Sequence, residues 1–300
     1  MRRVLGVLGG SPAKGAAAEA RFEARDPRYS LERVVLPEST RREVEVLLSR
    51  IENHDLIYHT WGMQDVDPVG RCTAVNFYGL PGTGKTMLAE ALAARLGRRI
   101  VEANYAEIES KYVGETSKNI ERAFQSAAAM GQAGAVTPIL FFDEADSILG
   151  RRMTDVTQAA DHAVNVARAT MLKQLDSFDG IVVFATNLAK NFDGAFVRRI
   201  LAHVEVPPPD ADGRRQLWQA KIPVRVPGRN ELDWDWLARE SDGLVGGEIR
   251  NAVVAALAAV AARPESERTI RPDDLSRAIE HIRRAKRDVG HHDDNSPVSN

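Results

Sequence analysis

Short apolar runs alternate with longer amphipathic stretches through the middle of this chain, and the alternation stops at Pro207-Pro208-Pro209. Ala74-Val75-Asn76-Phe77-Tyr78, Ile100-Val101-Glu102-Ala103, Ile139-Leu140-Phe141-Phe142 and Ile181-Val182-Val183-Phe184-Ala185-Thr186 are continuous enough to be strands buried on both faces. His203-Val204-Glu205-Val206 reads as a last strand before the prolines. Between them the spacing predicts helices over residues 87–96, 119–130 and 163–175. An earlier helix carries Val44, Leu47, Leu48 and Ile51 on one face, with Ser39 as its expected cap. Strand alternating with helix predicts an α/β fold: a parallel sheet with helices on both faces.

Beyond residue 209 the period changes to helix only, over residues 212–220, 233–239, 248–262 and 273–287. The expected organisation is therefore a flexible N-terminal arm over residues 1–28, an α/β domain over 29–208, a small all-helical lid over 209–287, and a disordered tail over 288–300. The arm and tail are assigned because neither has a hydrophobic period.

Composition narrows the class. Net charge is −2 over 300 residues, which gives no overall field for nucleic acid or anionic membrane. Cys72 is the one cysteine, so no internal disulfide forms. No apolar run reaches the ~18–20 residues of a membrane span. The apolar stretch near Met1 faintly imitates a secretory leader, but it is short, glycine-broken and followed by Lys14, so secretion is not expected. A cytoplasmic location is expected.

The chemistry begins at Gly79-Leu80-Pro81-Gly82-Thr83-Gly84-Lys85-Thr86, which fits G-x-x-x-x-G-K-[ST] between a strand and a helix. Glycines let backbone N–H groups close on phosphates. Lys85 supplies a point charge for the β/γ-phosphates, and the Thr86 hydroxyl is a ligand for Mg²⁺. Met87 completes the nucleotide-binding run. Asp143 and Glu144 follow an apolar strand at its C-terminal end, where ligands of open α/β sheets collect. Asp143 is expected to hold Mg²⁺, and Glu144 to polarise the attacking water. Asn187 ends the next strand, and its neutral amide would orient that water or touch the γ-phosphate. Arg198 and Arg199 are candidates for an arginine finger, though adjacent arginines also serve as ordinary ion-pair partners.

These motifs, taken in order, resemble the AAA+ ATPase superfamily, near its spastin/katanin-like and FtsH-like branches, and are similar to bacterial AAA family ATP-binding proteins. The loop resembles G-P-P-G-T-G-K-T with Leu80 for the first proline, Phe142-Asp143-Glu144-Ala145-Asp146 matches the second nucleotide motif, and Ala185-Thr186-Asn187 matches the first sensor. Ser110-Lys111-Tyr112-Val113-Gly114-Glu115-Thr116 matches the pore loop of hexameric unfoldases, and Gly246-Gly247-Glu248-Ile249 resembles the opening of a lid helix. The resemblance implies a P-loop domain with a helical lid, ATP and Mg²⁺ as ligands, and a homo-oligomeric ring, usually a hexamer. It implies a protein client gripped by Lys111, Tyr112 and Val113, and an adenine contact from residues 31–36. Glu248 stands where many relatives carry a second sensor arginine, with Arg250 nearby. No H-E-x-x-H protease motif is present.

The function expected is ATP hydrolysis that unfolds, remodels or disassembles a protein partner. The alternatives are a nucleic-acid-associated motor or loader, and a nucleotide-dependent assembly switch. Near-neutral charge weighs against the first, and the complete hydrolytic set against the second.

Overall fold

The computed structural model describes residues 22–66, 72–104, 108, 115–132, 135–150, 159–187 and 192–290. Lys111, Tyr112 and Val113, the expected pore loop, lie outside them.

A six-stranded sheet has the order β1-β3-β4-β5-β2-β6. The strands are β1 (Ala24–Arg25), β2 (Cys72–Tyr78), β3 (Ile100–Asn104), β4 (Ile139–Asp143), β5 (Gly180–Thr186) and β6 (Ile200–Glu205). All neighbours are parallel except β1, which runs antiparallel to β3. In register, Tyr78 stands beside Thr186 and Phe142 beside Phe184, so β2, β4 and β5 end together.

Alternation along each strand sorts the core into two layers. Val75, Phe77, Phe141 and Val183 pack with Leu47 and Leu48 of α1 (Glu38–Glu52) and Leu88 and Leu92 of α2 (Lys85–Arg95). On the other face, Leu140, Phe142 and Phe184 meet Phe124 of α3 (Glu115–Gln132) and Met171 of α5 (Ala159–Ser177). Two short helices, α4 (Asp146–Leu149) and α6 (Gly194–Val197), follow β4 and β5. The sheet of two-sided burial anticipated from the apolar runs is present, with one antiparallel edge added.

The C-terminal part comprises α7 (Ala211–Lys221), α8 (Trp234–Glu240), α9 (Gly246–Ala261) and α10 (Pro272–Gly290) around Trp218, Leu237, Ile249 and Leu275. Asp210 caps α7 by accepting from Gly213 N, and Asp233 caps α8 by accepting from Asp235 N and Trp236 N. The Trp218 indole donates to Ser241 Oγ at 2.9 Å, which satisfies a polar group inside an apolar cluster. Among the described residues no strand follows β6, and no helix is long and apolar enough to cross a membrane.

Three local expectations are corrected. Residues 22–28 are not an unstructured arm: Ala24 and Arg25 pair with Val101 and Ile100. Two residues show no period, so the sequence pattern cannot reveal such a strand. Ser39 does not cap α1; Pro37 occupies the N-cap without a side-chain bond, and Ser39 lies inside the first turn. The last strand starts at Ile200 rather than His203, because pairing with β2 extends from Ala74 to Tyr78 across a register shift. Cys72 opens β2, and burial together with Asp176 and Asp179 pushes its thiol up to about 12, leaving it unreactive at neutral pH.

Candidate active site at the strand ends

The loop after β2 turns so sharply that its first residue passes against the chain leaving β6. Gly79 has φ +150°, and a Cβ there would stand 2.2 Å from the Val206 carbonyl oxygen. Gly84 has φ +107° and opens α2. Between them, Pro81 and Gly82 are exposed, and Thr83 Oγ1 donates to Leu80 O at 2.9 Å. Met87 sits one turn into α2 and packs partly against the core.

Lys85 is the centre of this loop and is buried. Its Nζ donates to Gly79 O at 2.8 Å, Leu80 O at 3.0 Å and Asn187 Oδ1 at 2.8 Å. An ammonium has three protons, and all three are used. Burial pulls the Lys85 ammonium below the usual lysine range, and Asp143 and Asp146 oppose that pull.

Asp143 ends β4, and its Oδ2 accepts from Thr86 Oγ1 at 2.8 Å. A hydroxyl and a carboxylate side by side are hard oxygen donors, which fits Mg²⁺. No cluster of three or more His, Cys, Asp or Glu capable of holding a metal exists among the described residues.

Glu144 has φ +54°, and it is the one non-glycine residue with positive φ among those described. Its N–H donates to Asp143 Oδ1 at 2.9 Å, and the next amide, Ala145 N, donates to Ala185 O at 2.9 Å. These bonds offset a left-handed conformation that costs on the order of 1 kcal/mol. The Glu144 side chain is left exposed at the rim.

Asp146 has no counterpart among the roles expected from sequence. It accepts from the Thr186 hydroxyl, from Asn187 N at 2.7 Å and from Asn187 Nδ2 at 3.5 Å. The one available signal was a third acid in the run that closes β4.

The lid also reaches the loop. Gly247 N, in the first turn of α9, donates to Gly82 O at 3.0 Å. Glu248 Oε2 accepts from Val245 N at 2.8 Å, and its Oε1 pairs with Lys286 at 3.0 Å. Glu248 therefore caps α9 and ties it to α10. Arg250 is exposed, and its Nη2 donates to Asn251 Oδ1 at 3.3 Å.

Arg198 and Arg199 are not part of this cluster. They precede β6, whose Ile200 pairs with Ala74, whereas the phosphate loop follows Tyr78. Four strand residues separate the two levels, roughly 13 Å at ~3.3 Å per residue. Arg199 forks onto Asp176 at 2.7 and 2.9 Å, and these bonds hold the Asp176 carboxyl below its ordinary range. Arg198 is exposed and has no ion-pair partner among the described residues. A hollow of about 600 Å³ lies at that same N-terminal end of the sheet against Thr73, Arg98 and Asp179. None of the residues of the glycine-rich loop lines it. The glycine loop around Lys85 and the Thr86–Asp143 pair stand at the other end.

Comparison with known proteins agrees with this geometry. Residues 75–208 match the model of the ATPase family associated with various cellular activities (AAA). The chain is 33% identical over 219 residues to 26S proteasome subunit RPT4 of Saccharomyces cerevisiae, covering 71% of this chain and 48% of that one. It is 31% identical over 215 residues to the proteasome-activating nucleotidase of Methanopyrus kandleri, covering 69% and 47% of the two chains. To katanin p60 ATPase-containing subunit A1 of Strongylocentrotus purpuratus it is 33% identical over 184 residues, covering 58% and 34%. The chain spans about half the length, or less, of these curated relatives.

Proposed function

This chain belongs to the AAA+ ATPase superfamily, and on that premise we propose that it hydrolyses ATP at the strand ends to do conformational work on a protein partner. The observation that carries the reading is the convergence of Lys85, Thr86, Asp143 and Asn187 through direct hydrogen bonds at the C-terminal ends of β2, β4 and β5.

Two loop carbonyls and the Asn187 amide oxygen surround the Lys85 ammonium. Phosphate oxygens would replace Gly79 O, Leu80 O and Asn187 Oδ1 around the ammonium, exchanging neutral acceptors for charged ones. Thr86 and Asp143 would hold Mg²⁺, which supplies neutralising charge for the phosphates. Glu144 takes a proton from the attacking water as the new O–Pγ bond forms and the bond to the β-phosphate oxygen breaks, and ADP carries off that electron pair. Asn187, released from Lys85, offers its amide to the water or the γ-phosphate.

Arg198 and Arg199 stand too far along the strands to serve their own loop, so an arginine finger from this chain would act on a neighbouring copy. This supports a ring of like subunits, with six the number the resemblance implies. The relatives are named as proteasome and katanin ATPases, which supports a protein as the client. Lys111, Tyr112 and Val113 are assigned to grip it. An aromatic side chain offers contact area without reading sequence.

The test is the solution mass of a Glu144→Gln variant, with and without Mg·ATP. Turnover should fall by about 10²-fold or more, since the base is removed while the phosphate contacts remain. ATP should then accumulate on the protein and shift its mass from 33.0 kDa toward six copies. A variant that binds ATP and stays monomeric overturns the ring; one that hydrolyses at the wild-type rate overturns the role of Glu144.

A further inference from the structure

Asn187 lies between two charges of opposite sign. On one side its Oδ1 accepts from the Lys85 ammonium at 2.8 Å. On the other its Nδ2 faces Asp146 Oδ2 at 3.5 Å, while its backbone N–H donates to Asp146 Oδ1 at 2.7 Å. The two neighbours settle which end of the amide is which. An ammonium only donates and a carboxylate only accepts, so the reversed amide would meet a donor with a donor and an acceptor with an acceptor. The Thr186 hydroxyl donates to the same Asp146 Oδ1, fixing that carboxylate from a buried residue at the end of β5.

We propose that Asp146 is a positioning residue for ATP hydrolysis, acting through Asn187 rather than on the nucleotide. Its carboxylate anchors Asn187 at the backbone and orients its side-chain amide. Once phosphate engages Lys85, the contacts to Asp146 would still hold Asn187, and among the described residues they are its other side-chain anchor. Asp146 itself reaches the start of α4, immediately after the Asp143-Glu144 turn, so it ties the end of β4 to the end of β5. A group tethered at one end in this way keeps its geometry while its other contact is exchanged, and that is the requirement for orienting a water.

This inference rests on the hydrolytic reading above, and the experiment separates the two. Steady-state ATPase is measured on the full chain as wild type, Asp146→Asn, Asn187→Ala and the double variant, together with the melting temperature of each. Asp146→Asn retains an oxygen but puts a donor against the Asn187 amide. It should lower kcat about tenfold while KM for ATP stays within about twofold, because orientation and not ground-state binding is lost. In the Asn187→Ala background the same change should cost less than about twofold, since its target is gone. If the two single effects multiply in the double variant, or if the fall in kcat follows a fall in melting temperature, Asp146 is merely structural and the proposal fails. Should Asp146→Asn not fold, Thr186→Val is read in the same cycle. It removes the hydroxyl that fixes the carboxylate, and it should likewise lower kcat alone and add nothing beside Asn187→Ala. A wild-type chain without Mg·ATP turnover overturns the hydrolytic reading and this inference together. Wild-type turnover with a multiplicative cycle overturns only this one.

Discussion

At the scale of single residues, backbone conformation marks the site as sharply as side chains do. Gly79 and Glu144 both take φ values that L side chains avoid, at +150° and +54°, and they flank the place where phosphate and water would meet. Their remedies differ. Glu144 is held by its neighbours' hydrogen bonds, so its strain is local. Gly79 is pressed against the Val206 carbonyl, and no side-chain rotation relieves a backbone contact. Gly79→Ala is therefore expected to cost on the order of 3 kcal/mol and to abolish nucleotide binding. Thermal melting with and without Mg·ATP checks both: a variant that melts like the wild type and is still stabilised by ATP contradicts it. The glycine was legible as part of a motif. Its partner was not, because Val206 is distant in sequence and meets Gly79 only after β6 has paired with β2.

At the scale of elements, α2 does two jobs. Its N-terminus carries Lys85, and further along, Glu90 is fully buried and anchors the edge strand. Arg25 Nη2 donates to Glu90 at 2.9 Å, and Arg28 adds its backbone N–H at 2.8 Å and its guanidinium. Burial alone would push the Glu90 carboxyl up, but the bonds from Arg28 and Arg25 outweigh it and hold the group at about 2. A folded-state value below the ordinary 4.5 means that the stabilisation is complete above about pH 4.5 and is lost as pH falls toward 2. Glu90→Gln should destabilise the protein by on the order of 2 kcal/mol at pH 7, discounted because both arginines are partly exposed. Denaturant titrations of variant and wild type should converge as pH drops from 4.5 toward 3, and a gap that stays constant there contradicts the assignment. A buried glutamate in the helix behind the phosphate loop gave no sign of its partners in the sequence. Residues 22–28 read as an arm because what holds them, a two-residue strand pairing, the packing of Phe22 and Ala24 and an ion cluster on Glu90, leaves no hydrophobic period.

At the scale of the molecule, the parallel sheet gives the protein two chemically distinct ends. Strand C-termini gather the phosphate loop, Asp143, Glu144 and Asn187; strand N-termini gather Arg198 and Arg199. The C-terminal helices touch the first of these through Gly247 and Gly82, which joins the start of α9 to the loop by a backbone hydrogen bond. The two arginines divide their duties. Arg199 is committed to Asp176, and Arg199→Ala should cost about 0.5–1 kcal/mol of stability. Arg198 is exposed and has no ion-pair partner among the described residues, and Arg198→Ala should leave stability unchanged while lowering turnover by about 10²-fold or more. Mixing Arg198→Ala subunits with Lys85→Ala subunits, each inactive alone, should restore part of the ATPase, because mixed rings pair an intact loop with an intact arginine. A mixture as inactive as its components would place the arginine's action within its own chain.

The phosphate loop, the strand-terminal acids and Asn187 were readable directly, because each chemistry is carried by contiguous residues whose flanking periods declare a strand end. The helical lid was readable for the same reason: 3.6-residue periods survive without knowledge of neighbours. What only the tertiary structure decided were the relations between distant segments: Gly79 against Val206, Glu90 with Arg25 and Arg28, Gly247 on Gly82, and Asp146 between Thr186 and Asn187. Local composition determines which groups are available at the end of an element. Which of them meet is set by strand order and register, and those are fixed by packing the whole sheet at once.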